Sequence, residues 1–395
     1  LSSQLLDKVL FPQRGENAPP TTQMNGWIQN SVAEKIFDAA GHEPSIRALE
    51  VVYFQILMVG WLPGLIMPAV SSFYSGRGVT RPVMWVNLVA ATTNIGLDYI
   101  LIFGKLGLPE MGIEGAAWAT VLAHCFGAIV FLLMFFGKKN RESYNRLVAW
   151  RFDRDLFLRM MKFGAPNGIQ FFVELMGFSL FILLVGRLGT VELAATNVAF
   201  NVNTLAFLPL VGLGISVSTL VGQYLGQDAP HIAERSTWSG IHISLVYMGT
   251  MAFLYSFTPM LFLAPFLTDA NAVEVLPIVA LATILLKFVA VYSVFDGVYI
   301  VFSAAVKGAG DTRFVMWVTM AVSVGVMVIP VWAGITWFGL GLYAAWIFAS
   351  TYIIILSVVF YFRFRGGKWK SMRVIEGSMP KAESDPLAEP DVQTI

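Results

Sequence analysis

Asn167, Gln170 and Glu174 sit three and four residues apart in an otherwise apolar run. That spacing stacks them on one face of a helix. Further along, Tyr292, Asp296, Tyr299 and Ser303 form a second stripe, and Asn197, Asn201 and Thr204 a third. Carboxylates, amides and hydroxyls at similar depth make a hard-oxygen environment suited to Na⁺ or to proton exchange. Glu174 lies ten residues beyond Gly164, roughly 15 Å along a helix. Asp296 lies at a comparable depth, eleven residues before Lys307.

An ionisable side chain at mid-membrane costs about 2.5–3.5 kcal/mol, so each one needs a reason. A buried polar network that only locks helices together returns about 0.6 kcal/mol per hydrogen bond. That is too little to hold two carboxylates at a depth where the sequence offers no countercharge. Ion coupling, with Na⁺ at Glu174 and Asp296 as one form of it, is therefore the expectation. The asparagines alone fit either role equally. Asn94 and Asp98, one turn apart with Asn87 on the same face, are a further candidate. Asp98 lies near the end of its run, where an aspartate can also cap or pair locally, so position alone does not decide its role.

The elements that carry these residues are membrane helices. Of 395 residues, 56% are hydrophobic and 13% charged, with mean hydropathy +0.68; soluble domains carry about 25% charged residues. A spanning helix needs about 20 mostly apolar residues. Nine runs meet this, at 49–75, 83–104, 115–137, 163–187, 193–224, 238–264, 279–306, 314–335 and 342–362. With the basic segment 138–162 placed inside, alternate loops put 19 of the 26 Lys and Arg on that side, as the positive-inside rule requires. The C-terminus is then cytoplasmic, and residues 1–48, polar and atypical, are external. Nothing in those residues drives export, so the expectation is a chain that lacks an odd number of preceding spans. The tail, 365–395, is polar and expected to be disordered.

One loop is written twice. "GRGVTRPVMWVN" at 76–87 returns as "GAGDTRFVMWVT" at 308–319, and "GAAWAT" at 115–120 is echoed by "YAAWIF" at 343–348. A turn needs only its glycines, so the shared Trp85 and Trp317 point to duplication. The copies have the same polarity in the membrane, which is a parallel repeat of the kind found in two-lobed transporters. The second copy, 163–364, has six spans, and the first, 49–137, has three that match the last three of the second. The expected fold is an all-α polytopic membrane protein: a two-lobed helical bundle with a parallel internal repeat, showing nine of twelve transmembrane helices.

Four stretches carry a resemblance: "NIGLDYILIFGKLGLPEMGIEGAAWAT" at 94–120, "FGAPNGIQFFVE" at 163–174, "STLVGQYLG" at 218–226 and "FDGVYIVFSAAVKGAGDTRF" at 295–314. From about Phe37 to Gly366 the chain resembles the multidrug and toxic compound extrusion (MATE) family of cation-coupled efflux transporters. The resemblance implies a cation site in the second lobe at Glu174, Tyr292 and Asp296. It implies another in the first lobe at Asn94, Asp98 and Thr120, whose remaining partner, an Asp on the family's first helix, is missing here. An antiporter reading makes the amides of Asn167, Gln170, Asn197 and Asn201 the expected lining of a substrate cavity, in a protein of the inner (plasma) membrane.

Other classes fit less well. One cysteine and four scattered histidines offer no disulfide framework or metal cluster. HExxH, Walker A and a GxSxG with its partner His are all missing, so neither an enzyme nor an ATP-driven pump is expected. A lipid-linked sugar flippase of the wider superfamily needs basic residues at mid-membrane, and the runs lack them. A truncated antiporter that transports nothing is the remaining alternative. The expected partners are small amphipathic or cationic compounds and the lipid bilayer, with no nucleic acid, no cofactor beyond Na⁺ or H⁺, and a monomeric state.

Overall fold

A computed structural model describes residues 44–137, 152–266 and 272–372. The expected external segment up to residue 43, residues 138–151 of the basic linker and the tail from 373 lie outside the described residues. The described chain is almost wholly helical. Eight helices are long and apolar enough to cross a membrane, and one further pair qualifies as a bent span. With lipid as solvent each segment must satisfy its own backbone. Side-chain hydroxyls do the same locally: Thr204 and Thr250 donate to the carbonyls of Phe200 and Val246, one turn back. Many large apolar side chains, such as Leu175, Ile215 and Val246, are exposed, as hydrocarbon solvent permits.

The chain divides into two compact units. The first holds the described residues up to Leu158; the second, Ala272 aside, holds those from Arg159 onward. In the first unit, α1 (Pro44–Val59) and α2 (Trp61–Gly76) are bent by 47° at Gly60, where the sequence suggested one span. Pro63 explains the break, because its ring excludes the carbonyl four residues back, that of Val59. Gly60 also faces α4 (Gly112–Phe135), where a Cβ would come within 2.7 Å of Val121. Between them in sequence runs α3 (Thr80–Ile102). It packs tightly on α4, since a Cβ on Gly115 would meet the Leu101 carbonyl at 2.7 Å.

The second unit contains α5 (Arg154–Gly186, from Arg159), α6 (Thr190–Gly226), α7 (Pro230–Phe257), the short α8 (Pro259–Leu263), α9 (Ala272–Gly308), α10 (Thr312–Val322), α11 (Ile329–Trp337) and α12 (Leu342–Arg365). Two boundaries differ from expectation. The basic linker ends early, with Arg154, Arg159 and Lys162 already on α5. The run 238–264 stops at Phe257, and Pro259 restarts it as α8. A wide π turn, Ser323–Val328, joins α10 to α11. Pro330 lacks the N–H that would bond the Val326 carbonyl, and a wider turn re-registers the acceptors left over. The core of this unit includes Phe181, Met248, Phe302, Trp346 and Phe360. Trp346 stacks on Phe200 at 5.2 Å.

The repeated loop proves to be one turn built twice. Gly78 N–H bonds the Ser75 carbonyl and Val79 N–H the Tyr74 carbonyl; Gly310 N–H and Asp311 N–H do the same with Lys307 and Val306. Gly78 and Gly310 have φ of +77° and +96°, the left-handed position of a Schellman cap. The turn after α6 has the same pair of bonds, with Asp228 at φ +55°, but neither the second glycine nor the tryptophan. Turn geometry thus accounts for Gly78 and Gly310. It leaves Trp85 and Trp317, 59% and 60% exposed, to be explained by duplication.

Beyond Gly366, where disorder was expected, the chain folds back in a 3₁₀ turn, Lys368–Ser371. Trp369 is buried, its Nε1 donating to the Phe364 carbonyl at 2.8 Å and its ring stacked on Phe364.

Candidate functional site

The site is built on four helices of the second unit, α5, α9, α10 and α12. On α5, Gln170 is buried and Glu174 half-buried. Gln170 Nε2 donates to Glu174 Oε1 at 3.1 Å, one turn along the same helix. From α9 the Tyr299 hydroxyl donates to the same oxygen. Glu174 Oε2 has no hydrogen-bond partner among the described residues, and Gln170 Oε1 is buried without one. One face of the carboxylate is therefore fixed and the other is left open to bind.

Asp296 lies three residues before Tyr299, hence on the same side of α9. It is buried, with 7% exposure, and no described residue donates a hydrogen bond to it. Glu174 and Asp296 are close enough to feel each other's charge. Two like charges in one interior repel unless a cation or proton sits with them. Tyr292, one turn before Asp296, is buried. The tyrosine that bonds Glu174 is Tyr299, which the sequence placed on the same stripe without singling it out.

Three participants were missed. Tyr352 of α12 is buried within the field of both carboxylates. It follows Ser350 and Thr351, but no polar residue lies three or four positions away to mark a stripe. Thr319 of α10 lies beside Tyr299, and its hydroxyl has no partner within bonding distance. Lys307, partly buried in the last turn of α9, interacts electrostatically with Glu174. Among the described residues it forms no ion pair with either carboxylate, so its charge reaches Glu174 only at longer range. Ser323, another orphaned hydroxyl, lies where α5 and the π turn nearly touch: a Cβ on Gly177 would come within 2.6 Å of its Oγ.

The amide stripes are placed differently. Asn167, Asn197, Asn201 and Thr204 are exposed, and none bonds to Glu174 or Asp296. The inward face of α6 instead offers Thr196, whose Oγ1 receives Trp346 Nε1 at 3.4 Å. In the first unit Asn94 and Asp98 are half-buried on α3. Thr120 on α4 donates to the Ala116 carbonyl of its own helix, and Asn94 Nδ2 is buried without a partner. No hydrogen bond joins Asn94, Asp98 and Thr120. Among the described residues no cluster of His, Cys, Asp and Glu has the arrangement of a metal centre.

A sequence profile of the MatE family matches residues 166–333, which include both carboxylates. A probable multidrug resistance protein NorM of Thermotoga maritima is 28% identical over 338 residues, covering 84% of this chain and 70% of that protein. One from Bradyrhizobium diazoefficiens is 29% identical, covering 84% and 71%. An outward-facing multidrug resistance MATE transporter superposes with a TM-score of 0.75 at 18% identity, over 86% of this chain and 74% of the other. A transporter of the wider superfamily from Pyrococcus furiosus, described as having a binding pocket of reversed polarity, has the same TM-score and coverage at 19% identity.

Proposed function

We propose that the chain is a membrane transporter of the multidrug and toxic compound extrusion family rather than an enzyme, and that it works as a cation-coupled antiporter. Na⁺ or H⁺ binds at Glu174 and Asp296, and its downhill entry drives an amphipathic, often cationic, compound out of the cell by alternating access. The observation that carries this reading is the Glu174 carboxylate. One oxygen is held by Gln170 and Tyr299, the other is open, and a second carboxylate lies within range. A monovalent cation relieves their repulsion, and a cationic drug competes for the same charge.

Coupling requires ion and substrate to favour different states of the protein. The exposed amides of Asn167, Asn197 and Asn201 supply hydrogen bonds to substrate, with Gln170 behind them. Asn94, Asp98 and Thr120 form a second candidate ion site. The reading places the protein in the inner (plasma) membrane as a monomer with its C-terminus in the cytoplasm. It needs no cofactor other than the coupling ion and no nucleic-acid partner.

The test is ethidium efflux from vesicles under an imposed Na⁺ or H⁺ gradient. Glu174→Gln and Asp296→Asn are each expected to abolish gradient-driven efflux while leaving the protein in the membrane. Undiminished efflux by the double variant would move coupling away from these residues.

A further inference from the structure

Away from the carboxylates, the end of the second unit that carries the Gly310 turn has a groove of about 420 Å³. It lies between the start of α10 and the last two turns of α12. Its wall is apolar, from Phe314, Val358, Val359 and Phe362, and its end is basic, from Arg363 and Lys368. Val358 and Phe362 are 45% and 64% exposed, so no other part of the described chain covers them. The apolar run of α12 ends at Phe362, with Arg363 and Arg365 in its last turn, so the groove crosses the level at which hydrocarbon gives way to headgroups.

The two cations are not equivalent. Arg363 spends Nε and Nη2 on Asp311 Oδ2, at 2.9 and 2.5 Å, and lies 4.2 Å over the Phe314 ring. Asp311 offsets its charge, but Nη1 keeps its donors. Lys368 is exposed and has no acidic partner among the described residues. The fold-back that buries Trp369 holds Lys368 at the groove instead of leaving it on a free tail.

We propose that this groove seats one anionic phospholipid of the adjoining leaflet, with its phosphate between Lys368 and Arg363 and an acyl chain along Phe314, Val358 and Phe362. The occupant follows from charge and place. A neutral lipid leaves Lys368 uncompensated, a free phosphate leaves the apolar wall bare, and a phospholipid with net negative charge satisfies both. Each cation near a headgroup of this kind strengthens binding about five-fold. The site does not depend on which ion drives transport.

The test is lipid titration of the purified chain in detergent, followed by native mass spectrometry. The probes are dioleoyl phosphatidylglycerol, dioleoyl phosphatidylcholine and glycerol phosphate. One phosphatidylglycerol is expected to bind at least about five-fold more tightly than phosphatidylcholine. Lys368→Gln is expected to remove that preference, and Val358→Trp, which fills the groove without changing charge, to remove the bound lipid. Both positions are exposed, so neither change threatens the fold. Lys105→Gln, an exposed cation of the other unit, should leave binding unchanged. The proposal is overturned by equal binding of the two lipids, by retention in Val358→Trp, by an equal loss in Lys105→Gln, or by glycerol phosphate competing as well as the lipid.

Discussion

The Tyr299 hydroxyl on α9 donates to Oε1 of Glu174 on α5, and Gln170 donates to the same oxygen. With Oε1 held from two sides, the carboxylate keeps one rotamer and presents Oε2. A hydrogen bond to a charged group contributes about 1.5–3 kcal/mol, so Tyr299→Phe, which frees the carboxylate to turn away, should raise the Na⁺ concentration for half-maximal efflux by roughly ten-fold or more while making the carboxylate easier to protonate. Tyr292→Phe, which touches no hydrogen-bond partner of Glu174, should change it less. The cation dependence of efflux by the two variants checks this, and equal effects would mean that the Tyr299 contact does not position the carboxylate.

In the proposed mechanism, proton and Na⁺ compete for the same pair of carboxylates. Protonation removes the negative charge that attracts Na⁺, so the Na⁺ required must rise as pH falls. With Asp296→Asn only one carboxylate remains to be shared, and the pH dependence should flatten along with the loss of coupling. Sodium binding measured by calorimetry at several pH values distinguishes this from a fixed-charge site, for which the affinity would not move with pH.

The duplicated turn predicts an asymmetry between its two copies. Gly76 has open space at its Cβ position, whereas a Cβ on Gly308 would lie 2.4 Å from the Ser218 carbonyl oxygen. Gly308→Ala must therefore push α9 off α6, at about 1–3 kcal/mol, and Gly76→Ala should stay within about 0.5 kcal/mol. Gly78→Ala and Gly310→Ala should each cost about 1–2 kcal/mol, since both glycines are left-handed. Thermal unfolding in detergent measures all four, and equal losses at positions 76 and 308 would contradict the packing.

Much of this was legible before any coordinates, for physical reasons. Lipid imposes long apolar runs, and a carboxylate inside one is conspicuous because its burial is costly, so Glu174 and Asp296 stood out at once. Helical spacing grouped Gln170 with Glu174 and Tyr299 with Asp296. It did not reveal contacts between helices far apart in sequence. Tyr352, Thr319 and Lys307 meet the site only through packing, and nothing along α12, α10 or the end of α9 announces that meeting. The exposed Asn197 and Asn201 mark another limit: a stripe on one helix shows a shared face but not what the face meets. The break at Gly60 was written in Pro63, three residues later, and was hidden by the continuous hydrophobicity of the run.

The pairing of Arg363 with Asp311 gives the last prediction. Their side chains are 21% and 12% exposed, so the pair is neither a solvated surface bridge nor a fully dry one. Removing one partner of a dry pair costs about 3–5 kcal/mol and a surface pair about 0–1 kcal/mol; this one should fall near 2 kcal/mol. Asp311→Asn leaves a guanidinium on Phe314 with less to hold it, and Arg363→Gln leaves a carboxylate beside the Gly310 turn. The double variant strands neither charge, so its loss should be smaller than the sum of the two single losses. Because Asp311 closes the turn and Arg363 ends α12, a double-mutant cycle on thermal stability reports how firmly that end of α12 is tied to the α9–α10 turn. Strict additivity would mean that the two helix ends are held by packing alone.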